Sequence, residues 1–257
     1  MSRKWAGALL LFVAGWASAQ DGPVIAAASD LKFTLDEMIS AFQQQTGKKV
    51  RVSYGSSGNF LSQIAQDAPF ELFMSADEDL VFRLARQNLT LDQGVLYGTG
   101  RIVLFVPGGS PVKGDAQFVD LRRSVADGRL KKFAIANPEH APYGRAAKQA
   151  LQSKGLWEAI EPKLVLGENV SQAAQFTVSG STQGGIFALS LAKAPAFAKA
   201  GTYVLVPEDL HQPLKQRMVL TQKAGDTARE FYTYLQQPAA RSVFKKYGFA
   251  LPGEAAD

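Results

Sequence analysis

Four short turns in this sequence lie where an apolar run gives way to a helical pattern, and the first two combine small residues with serine hydroxyl groups. The four turns are Ala26–Asp30, Gly55–Asn59, Ala141–Gly144 and Glu168–Val170. At the start of a helix, backbone N–H groups have no partner within the helix and the dipole is positive, so such turns bind anions. Small residues let an anion approach the backbone, and serine hydroxyls add donors. The turns therefore predict a cleft for a small anion.

Each turn also has an ordinary structural explanation. Serine and aspartate are common helix N-caps, and glycine is common in turns. For any single turn this explanation is the better one. The presence of four such turns in one chain favours the anion cleft.

The elements that must position these turns alternate between strand and helix. Short apolar runs such as Val24–Ala28 and Phe133–Ala136 predict strands, and apolar residues at helical spacing, as in Leu31–Phe42, predict helices. This alternation predicts an α/β fold of mainly parallel sheets flanked by helices. Two such units without a flexible linker predict two lobes, with the ligand cleft outside the carboxyl ends of the strands.

The order of these units predicts where the chain changes lobe. We predict that residues 20–104 form the first part of lobe 1, residues 105–216 form lobe 2, and residues 217–257 return to lobe 1. The strand-like runs Arg101–Val106 and Arg217–Leu220 are the predicted crossings.

Residues 1–19 have the features of a secretory signal peptide. Arg3 and Lys4 precede the uncharged apolar run Trp5–Trp16, and Ala17–Ala19 is a cleavage site of the A-x-A type. The run is too short for a membrane anchor, which needs about 20 residues. Cleavage after Ala19 removes two basic residues, so the formal net charge falls from +5 to +3.

Composition excludes several classes of protein. The chain has no cysteine, so it has neither disulfides nor an acceptor for an N-terminal lipid, and we expect a free periplasmic protein. Lysine and arginine are scattered, which argues against nucleic acid as a partner. His140 and His211 are the only histidines, so a clustered zinc site is not expected. No G-x-S-x-G elbow supports a hydrolase.

Five stretches, in their order along the chain, resemble the periplasmic molybdate-binding proteins of molybdate ABC importers. The resemblance implies the two-lobed class II periplasmic-binding-protein fold, with molybdate or tungstate as ligand, a membrane permease as partner, no cofactor and no catalysis. Single motifs among them are weak, but the ordered set runs nearly the whole mature chain. The stretches are Ala26–Ser29, Tyr54–Ser57, Pro69–Asp77, Pro138–Gly144 and Lys246–Phe249.

The same resemblance implies four residues that hold molybdate through its oxyanion. Ser29 and Ser57 match hydroxyl and backbone donors of the first lobe, and Tyr143 and Val170 match backbone N–H donors of the second. Ala188, a second-tier position, stands where some family members carry a tyrosine hydroxyl, so one donor is missing. One hypothesis is that the Tyr143 hydroxyl replaces it; the alternative is that Tyr143 only lines the edge of the cleft.

Asp30, the other second-tier residue, is unfavourable beside a dianion. We expect its carboxylate to cap the following helix at Lys32 or Phe33, with its own N–H still in reach of the ligand. We expect His140 to be a turn residue next to the site. A buried dianion needs every oxygen hydrogen-bonded, and fixed neutral donors supply this while rejecting protonated anions.

Alternative functions remain open at this stage. The protein could bind another small ion such as sulfate, phosphate or ferric ion, or be a secreted α/β hydrolase with His140 as its base. A non-transport sensor with the same fold is a further alternative, because fold does not fix function. The leading prediction is a monomer whose two lobes close over the oxyanion, since only the closed form makes both sets of contacts.

Overall fold

The computed structural model describes residues 22–253 and contains two five-stranded sheets flanked by helices. The predicted signal peptide lies outside the described residues. Within these residues, no helix is both long and apolar enough to cross a bilayer. The strands are β1 (Val24–Ala28), β2 (Arg51–Gly55), β3 (Leu72–Ser75), β4 (Val95–Gly100), β5 (Ile102–Pro107), β6 (Phe133–Ala136), β7 (Leu164–Gly167), β8 (Gly184–Ala188), β9 (Gly201–Leu205) and β10 (Leu214–Leu220).

Helices connect most of these strands, and 3₁₀ turns lie at Ser29–Leu31, Glu161–Lys163 and Glu208–Leu210. The first helix ends at Gly47, which adopts the left-handed φ of 72° that favours glycine at a helix end. The helices are α1 (Lys32–Thr46), α2 (Ser57–Ala65), α3 (Glu78–Arg86), α4 (Val119–Ala126), α5 (Pro142–Ser153), α6 (Trp157–Ile160), α7 (Val170–Val178), α8 (Leu189–Ala192), α9 (Pro195–Ala198), α10 (Asp226–Tyr234) and α11 (Pro238–Lys246).

The strand orders are β2-β1-β3-β10-β4 and β7-β6-β8-β5-β9, so the predicted two-lobed α/β architecture is confirmed. Four strands of each sheet run in the same direction, as the prediction of mainly parallel sheets requires, and one strand runs against them. β1 and β6 pair in parallel with their neighbours, whereas β10 and β5 run antiparallel to theirs. Parallel neighbours need a crossover, which appears in the sequence as a strand–helix alternation. β5 and β10 instead enter their sheets directly from the other sheet.

The chain changes sheet at two places. Arg101 alone separates β4 in the first sheet from β5 in the second, and residues 206–213 carry the chain back from β9 to β10. The predicted crossing runs Arg101–Val106 and Arg217–Leu220 do contain strands, and each of those strands pairs within a single sheet. The passages between the sheets therefore lie next to these strands.

The two sheets have separate apolar cores that meet at the cleft. Phe42 and Phe231 are buried in the core of the first sheet, and Phe133 is buried in that of the second. Ala28 and Ala76, from strand ends of the first sheet, belong to the apolar cluster of the second. The lobes therefore contact each other across the ends of β1 and β3.

Gly100, the last residue of β4, leaves the space that a buried polar group occupies at this contact. A Cβ atom at Gly100 would lie 2.6 Å from Nε2 of Gln216 and closer still to the Tyr143 hydroxyl. We expect Gly100→Ala to lower the free energy of unfolding by about 1–3 kcal/mol, the usual cost of overpacking, measured by urea denaturation.

Gly108→Ala is the matched control for this substitution. Its Cβ would lie 3.6 Å from the Ala200 carbonyl oxygen, an ordinary contact, so a change within about 0.5 kcal/mol is expected. Equal stabilities of the two variants would contradict the steric argument.

Candidate functional site

A small cavity lies where turns from both lobes meet, at the carboxyl ends of the strands. Its volume is about 10 Å³, close to the space that one water-sized sphere needs. The structure brings all four predicted residues to this cavity. Ala188 is buried at the end of β8 and is not among the lining residues. The cavity is lined by Ala28, Ser29, Asp30, Gly55, Ser56, Ser57, Ala76, Ala141, Pro142, Tyr143 and Val170.

The two predicted serines are oriented by backbone donors. Ser57 Oγ accepts a hydrogen bond from the Ala76 N–H at 3.0 Å. Ser29 Oγ accepts one from the Ser171 N–H, across the lobes, at 3.2 Å. A hydroxyl that accepts through one lone pair still carries its own proton. Both serines therefore keep a hydroxyl proton that can be donated to a further acceptor.

The first N–H group of α2 and the first N–H group of α7 have no acceptor within their own helix, and the capping side chains bond to later N–H groups. Ser56 caps α2 by accepting from the Asn59 N–H at 3.3 Å. Asn169 caps α7 by accepting from the Gln172 N–H at 3.1 Å. Ser57 and Val170, the first residues of these helices, lie against the cavity, and helix geometry gives their N–H groups no internal acceptor.

The start of α5 offers its N–H groups for a different reason. Ala141 is the N-cap residue and has no side-chain acceptor. Pro142 follows it and has no N–H group, so Tyr143 carries the first N–H of the helix. A Cβ atom at Gly144 would collide with the Ala136 carbonyl oxygen. This glycine therefore lets the helix start pack directly against the end of β6.

The donors around the cavity are uncharged. No lysine or arginine lines it, and Asp30 is the one ionisable acid among the lining residues. Across residues 22–253, no group of three or more histidine, cysteine, aspartate or glutamate side chains is placed to hold a metal ion. The arrangement can therefore hydrogen-bond an anion without a counter-charge.

Asp30 does not cap α1, so this prediction is wrong. The helix begins after Leu31 and has no side-chain cap. Asp30 lies within the preceding 3₁₀ turn, and its carboxyl group instead bonds across the lobes. Tyr143 donates its hydroxyl proton to Asp30 Oδ2 at 3.0 Å, and Gln216 Nε2 donates to the same oxygen at 2.9 Å.

The Tyr143 hydroxyl is part of this network. It donates to Asp30 and lies 2.9 Å from Gln216 Nε2, which donates to it. Tyr97 orients the amide by donating to Gln216 Oε1 at 2.7 Å. The hypothesis that the Tyr143 hydroxyl replaces the donor missing at Ala188 is therefore wrong, because its single proton is directed at Asp30.

Burial sets the protonation of this network. Desolvation raises the pKa of Asp30 from 3.8 to about 6, although hydrogen bonds from Gln216 and Tyr143 partly oppose the shift. Burial also raises the pKa of Tyr97 and of Tyr143 well above 10, so both phenols stay neutral donors. Asp30 Oδ1 is buried and has no hydrogen-bond partner among the described residues.

His140 lies at the rim of the cavity, where the lobes touch. Its Nδ1 is 2.8 Å from Ser56 Oγ, and its carbonyl oxygen accepts from the Gly58 N–H at 3.0 Å. Glu168 Oε2 is 3.7 Å from Nε2, too far for a hydrogen bond. Because the carboxylate makes no hydrogen bond to the imidazole, these three residues do not form the relay of a hydrolase.

Two further polar contacts join the lobes beside this rim. Asn59 of α2 donates to Glu168, and Arg145 of α5 pairs with Asp77, which precedes α3. These contacts lie outside the cavity. They therefore favour the closed arrangement without using the donors of the site.

Sequence reasoning missed Gln216 and Tyr97. Gln216 is fully buried in β10 although the strand also contains the apolar run Met218–Leu220. Gln216 is flanked by Lys215 and Arg217, but the alternation of the strand places it on the same face as Leu214 and Met218. This alternation is the signal that could have identified it, because a buried amide requires partners. Tyr97 lies in β4, a strand that the pattern did not predict.

The two lobes and the donors between them define a ligand-binding protein that encloses a small solute. The sequence matches the family of bacterial extracellular solute-binding proteins over residues 23–250. The chain belongs to this family.

Its relatives include molybdate-binding proteins. ModA of Azotobacter vinelandii is 36% identical over 230 residues, which cover 88% of this chain and 89% of that protein. ModA of Rhodobacter capsulatus is 34% identical over 251 residues, 96% of each chain. The solved structure of the A. vinelandii periplasmic molybdate-binding protein superposes with a TM-score of 0.80 at 30% identity, covering 90% of this chain and 99% of that one. The sulfate-binding protein SubI of Mycobacterium tuberculosis shares the fold alone, with a TM-score of 0.72 at 17% identity, covering 92% of this chain and 88% of that one.

The raised pKa of Asp30 predicts a pH-dependent difference between the native protein and Asp30→Asn. The folded state holds this proton more tightly than the unfolded state, so the native free energy of unfolding falls as the pH rises from about 4 to about 6. A pKa raised from 3.8 to about 6 corresponds to about 3 kcal/mol of this free energy. Asp30→Asn has no titratable group at this position and therefore does not lose it.

Urea denaturation of both proteins at about pH 4 and about pH 7.5 measures this effect. The stability difference should move in favour of Asp30→Asn by about 3 kcal/mol at the higher pH. The cost of burying the asparagine amide is the same at both pH values and cancels. A difference that does not change with pH would show that Asp30 ionises normally.

Proposed function

We propose that this protein captures molybdate, and tungstate with it, and delivers the oxyanion to an ABC importer. It acts as a binding protein and carries out no reaction. The observation that carries the proposal is the convergence of uncharged donors from both lobes on one cavity without a basic residue. The molybdate-binding relatives, similar over most of the chain, support the choice of ligand.

In this proposal, Ser29, Ser57, Tyr143 and Val170 hold the oxygens of the anion. The two serine hydroxyls and the N–H groups of Ser57, Tyr143 and Val170 are the donors. Molybdate and tungstate are fully deprotonated near neutral pH, so all their oxygens accept hydrogen bonds. A dianion whose oxygens are all bonded by fixed donors is stable in a buried site.

Capture proceeds by closure of the lobes. Ser29 and Ser57 hold the anion on the first lobe, and the starts of α5 and α7 then close over it. The ligand shifts the equilibrium because only the closed form offers both donor sets. The contacts of Gly58 with His140 and of Asp77 with Arg145 form in the same closed arrangement.

The location and partners belong to the same proposal. A signal peptide cleaved after Ala19 exports the chain to the periplasm, where the closed monomer docks on the permease of a molybdate importer. The predicted boundaries, with residues 20–104 and 217–257 in lobe 1 and residues 105–216 in lobe 2, fall inside β5 and β10, which each lie within one sheet. We therefore place the changes of lobe a few residues earlier, at Arg101 and at residues 206–213.

A thermal-shift panel tests the ligand. Molybdate and tungstate at about 1 mM are expected to raise the melting temperature, and sulfate, phosphate and chromate to raise it less, because specific binding stabilises the native state. Ser57→Ala should weaken molybdate binding about 10- to 100-fold, the effect of losing one hydrogen bond to a charged group. Ser62→Ala on the same helix, with an exposed side chain, should bind normally. Absence of any shift with molybdate would refute the proposal.

Closure is tested at Gly58, which has no side chain to contact the ligand. A Cβ atom there would lie 2.5 Å from the His140 carbonyl oxygen, so Gly58→Ala should hold the lobes apart. We expect at least about a tenfold loss of molybdate affinity, equivalent to about 1.4 kcal/mol. Small-angle scattering should show a larger radius of gyration for the molybdate-saturated variant than for native protein. Unchanged affinity and radius would mean that closure does not need this contact.

A further inference from the structure

A site of neutral donors has no need of the carboxyl group of Asp30, which lines the same cavity. The residue is 1% exposed, and its two hydrogen-bond donors, Tyr143 and Gln216, are uncharged. Both bond to Oδ2, whereas Oδ1 is buried and unpartnered among the described residues. A buried polar atom without a partner is rare in native proteins and calls for an explanation.

The surroundings of Asp30 offer it no cation. The 3₁₀ turn that carries it packs against α1, α7, α8 and β2, and α7 and α8 contain no ionisable side chain. From α5, β4 and β10, the groups that reach the network are Tyr143, Tyr97 and Gln216. The charged groups of these elements, and Tyr54, have their contacts elsewhere: Lys32 with Asp36, Glu37 with Lys246, Arg51 with the Gly22 carbonyl, Tyr54 with Asp36, Arg145 with Asp77, Lys148 with the Trp157 ring, and Lys215 and Arg217 with Glu78.

We infer that Asp30 is a further residue of the ligand site, and that an oxyanion enters the cavity together with one proton that Asp30 Oδ1 shares with the nearest anion oxygen. The inference rests on the proposed oxyanion-binding function. The proton comes from the solvent, and no bond of the anion forms or breaks.

Electrostatics gives the reason for the proton. A dianion beside a buried carboxylate with no cation would leave two like charges in contact, and a like charge favours the protonated acid. Once protonated, the carboxyl group becomes a donor. Its O–H then supplies Oδ1 with a partner and adds a bond to the ligand. Burial already raises the pKa of Asp30 to about 6, so the anion needs to raise it only modestly for the complex to hold the proton at neutral pH.

This coupling predicts how affinity depends on pH. Between the pKa of Asp30 in the free protein and its pKa in the complex, each binding event takes up one proton. Molybdate affinity should therefore fall about tenfold per pH unit across this range. In Asp30→Asn the affinity should be independent of pH over the same range.

Isothermal titration calorimetry of the exported chain with sodium molybdate tests this at about pH 7.5. Titrations in buffers with different heats of ionisation report the number of protons taken up. We expect close to one proton for the native protein and none for Asp30→Asn. His140→Gln is the matched control, because the imidazole of His140 is the other side chain at this contact that can accept a proton, and this variant should keep the uptake.

Each outcome has a distinct meaning. Tight molybdate binding by native protein without proton uptake overturns the role of Asp30 and leaves the proposed function intact. Uptake that persists in Asp30→Asn, or that disappears in His140→Gln, also overturns it. Absence of molybdate binding by native protein overturns the proposed function itself.

A measurement on native protein alone covers the case in which Asp30→Asn does not fold. Infrared difference spectra should show the C=O band of a protonated carboxylic acid appearing when molybdate binds near pH 7.5. Spectra without this band would overturn the inference.

Discussion

The N–H groups in the first turn of a helix have no acceptor within the helix, and this constraint shapes the cleft. In α2 and α7, capping side chains accept from the N–H groups of Asn59 and Gln172. Ser57 and Val170, whose N–H groups are not capped, line the cavity. In α5 the absence of a capping side chain has the same effect at Tyr143. Donors from two lobes therefore share one small space, and an anion with several acceptor oxygens satisfies all of them at once.

A second constraint is the polar network behind the cavity. Asp30, Tyr143, Gln216 and Tyr97 form a continuous buried chain of hydrogen bonds between the lobes. Such a network stabilises a structure only when its members are satisfied, and Gly100 leaves the space that it needs. The network fixes the ring of Tyr143, and thereby the start of α5. It also places one acid in a site otherwise composed of neutral donors, so the cavity combines anion recognition with a titratable group.

Particular elements show how far sequence patterns reach. The apolar runs at Val24–Ala28 and Phe133–Ala136 predicted β1 and β6, because a buried strand must be apolar on both faces. β4, with the sequence Val95–Gly100, was missed, since two of its six residues are glycine and its apolar signal is weak. Which strand of each sheet is reversed was not predicted. Direction depends on which strand becomes the neighbour of β5 or β10, and no local pattern encodes that choice.

The sequence by itself determined the two-lobed α/β architecture, the turns at which the helices of the cleft begin, and four of the residues that line the cavity. These features depend on local hydrophobic spacing, on turn chemistry and on family motifs, which are all readable along the chain. Only the tertiary structure decided that Asp30 bonds to Tyr143 and Gln216 instead of capping its own helix. Those partners lie more than a hundred residues away in sequence. A buried side chain takes whichever partner the packing of the two lobes brings within hydrogen-bond distance, so its role is set by tertiary contacts.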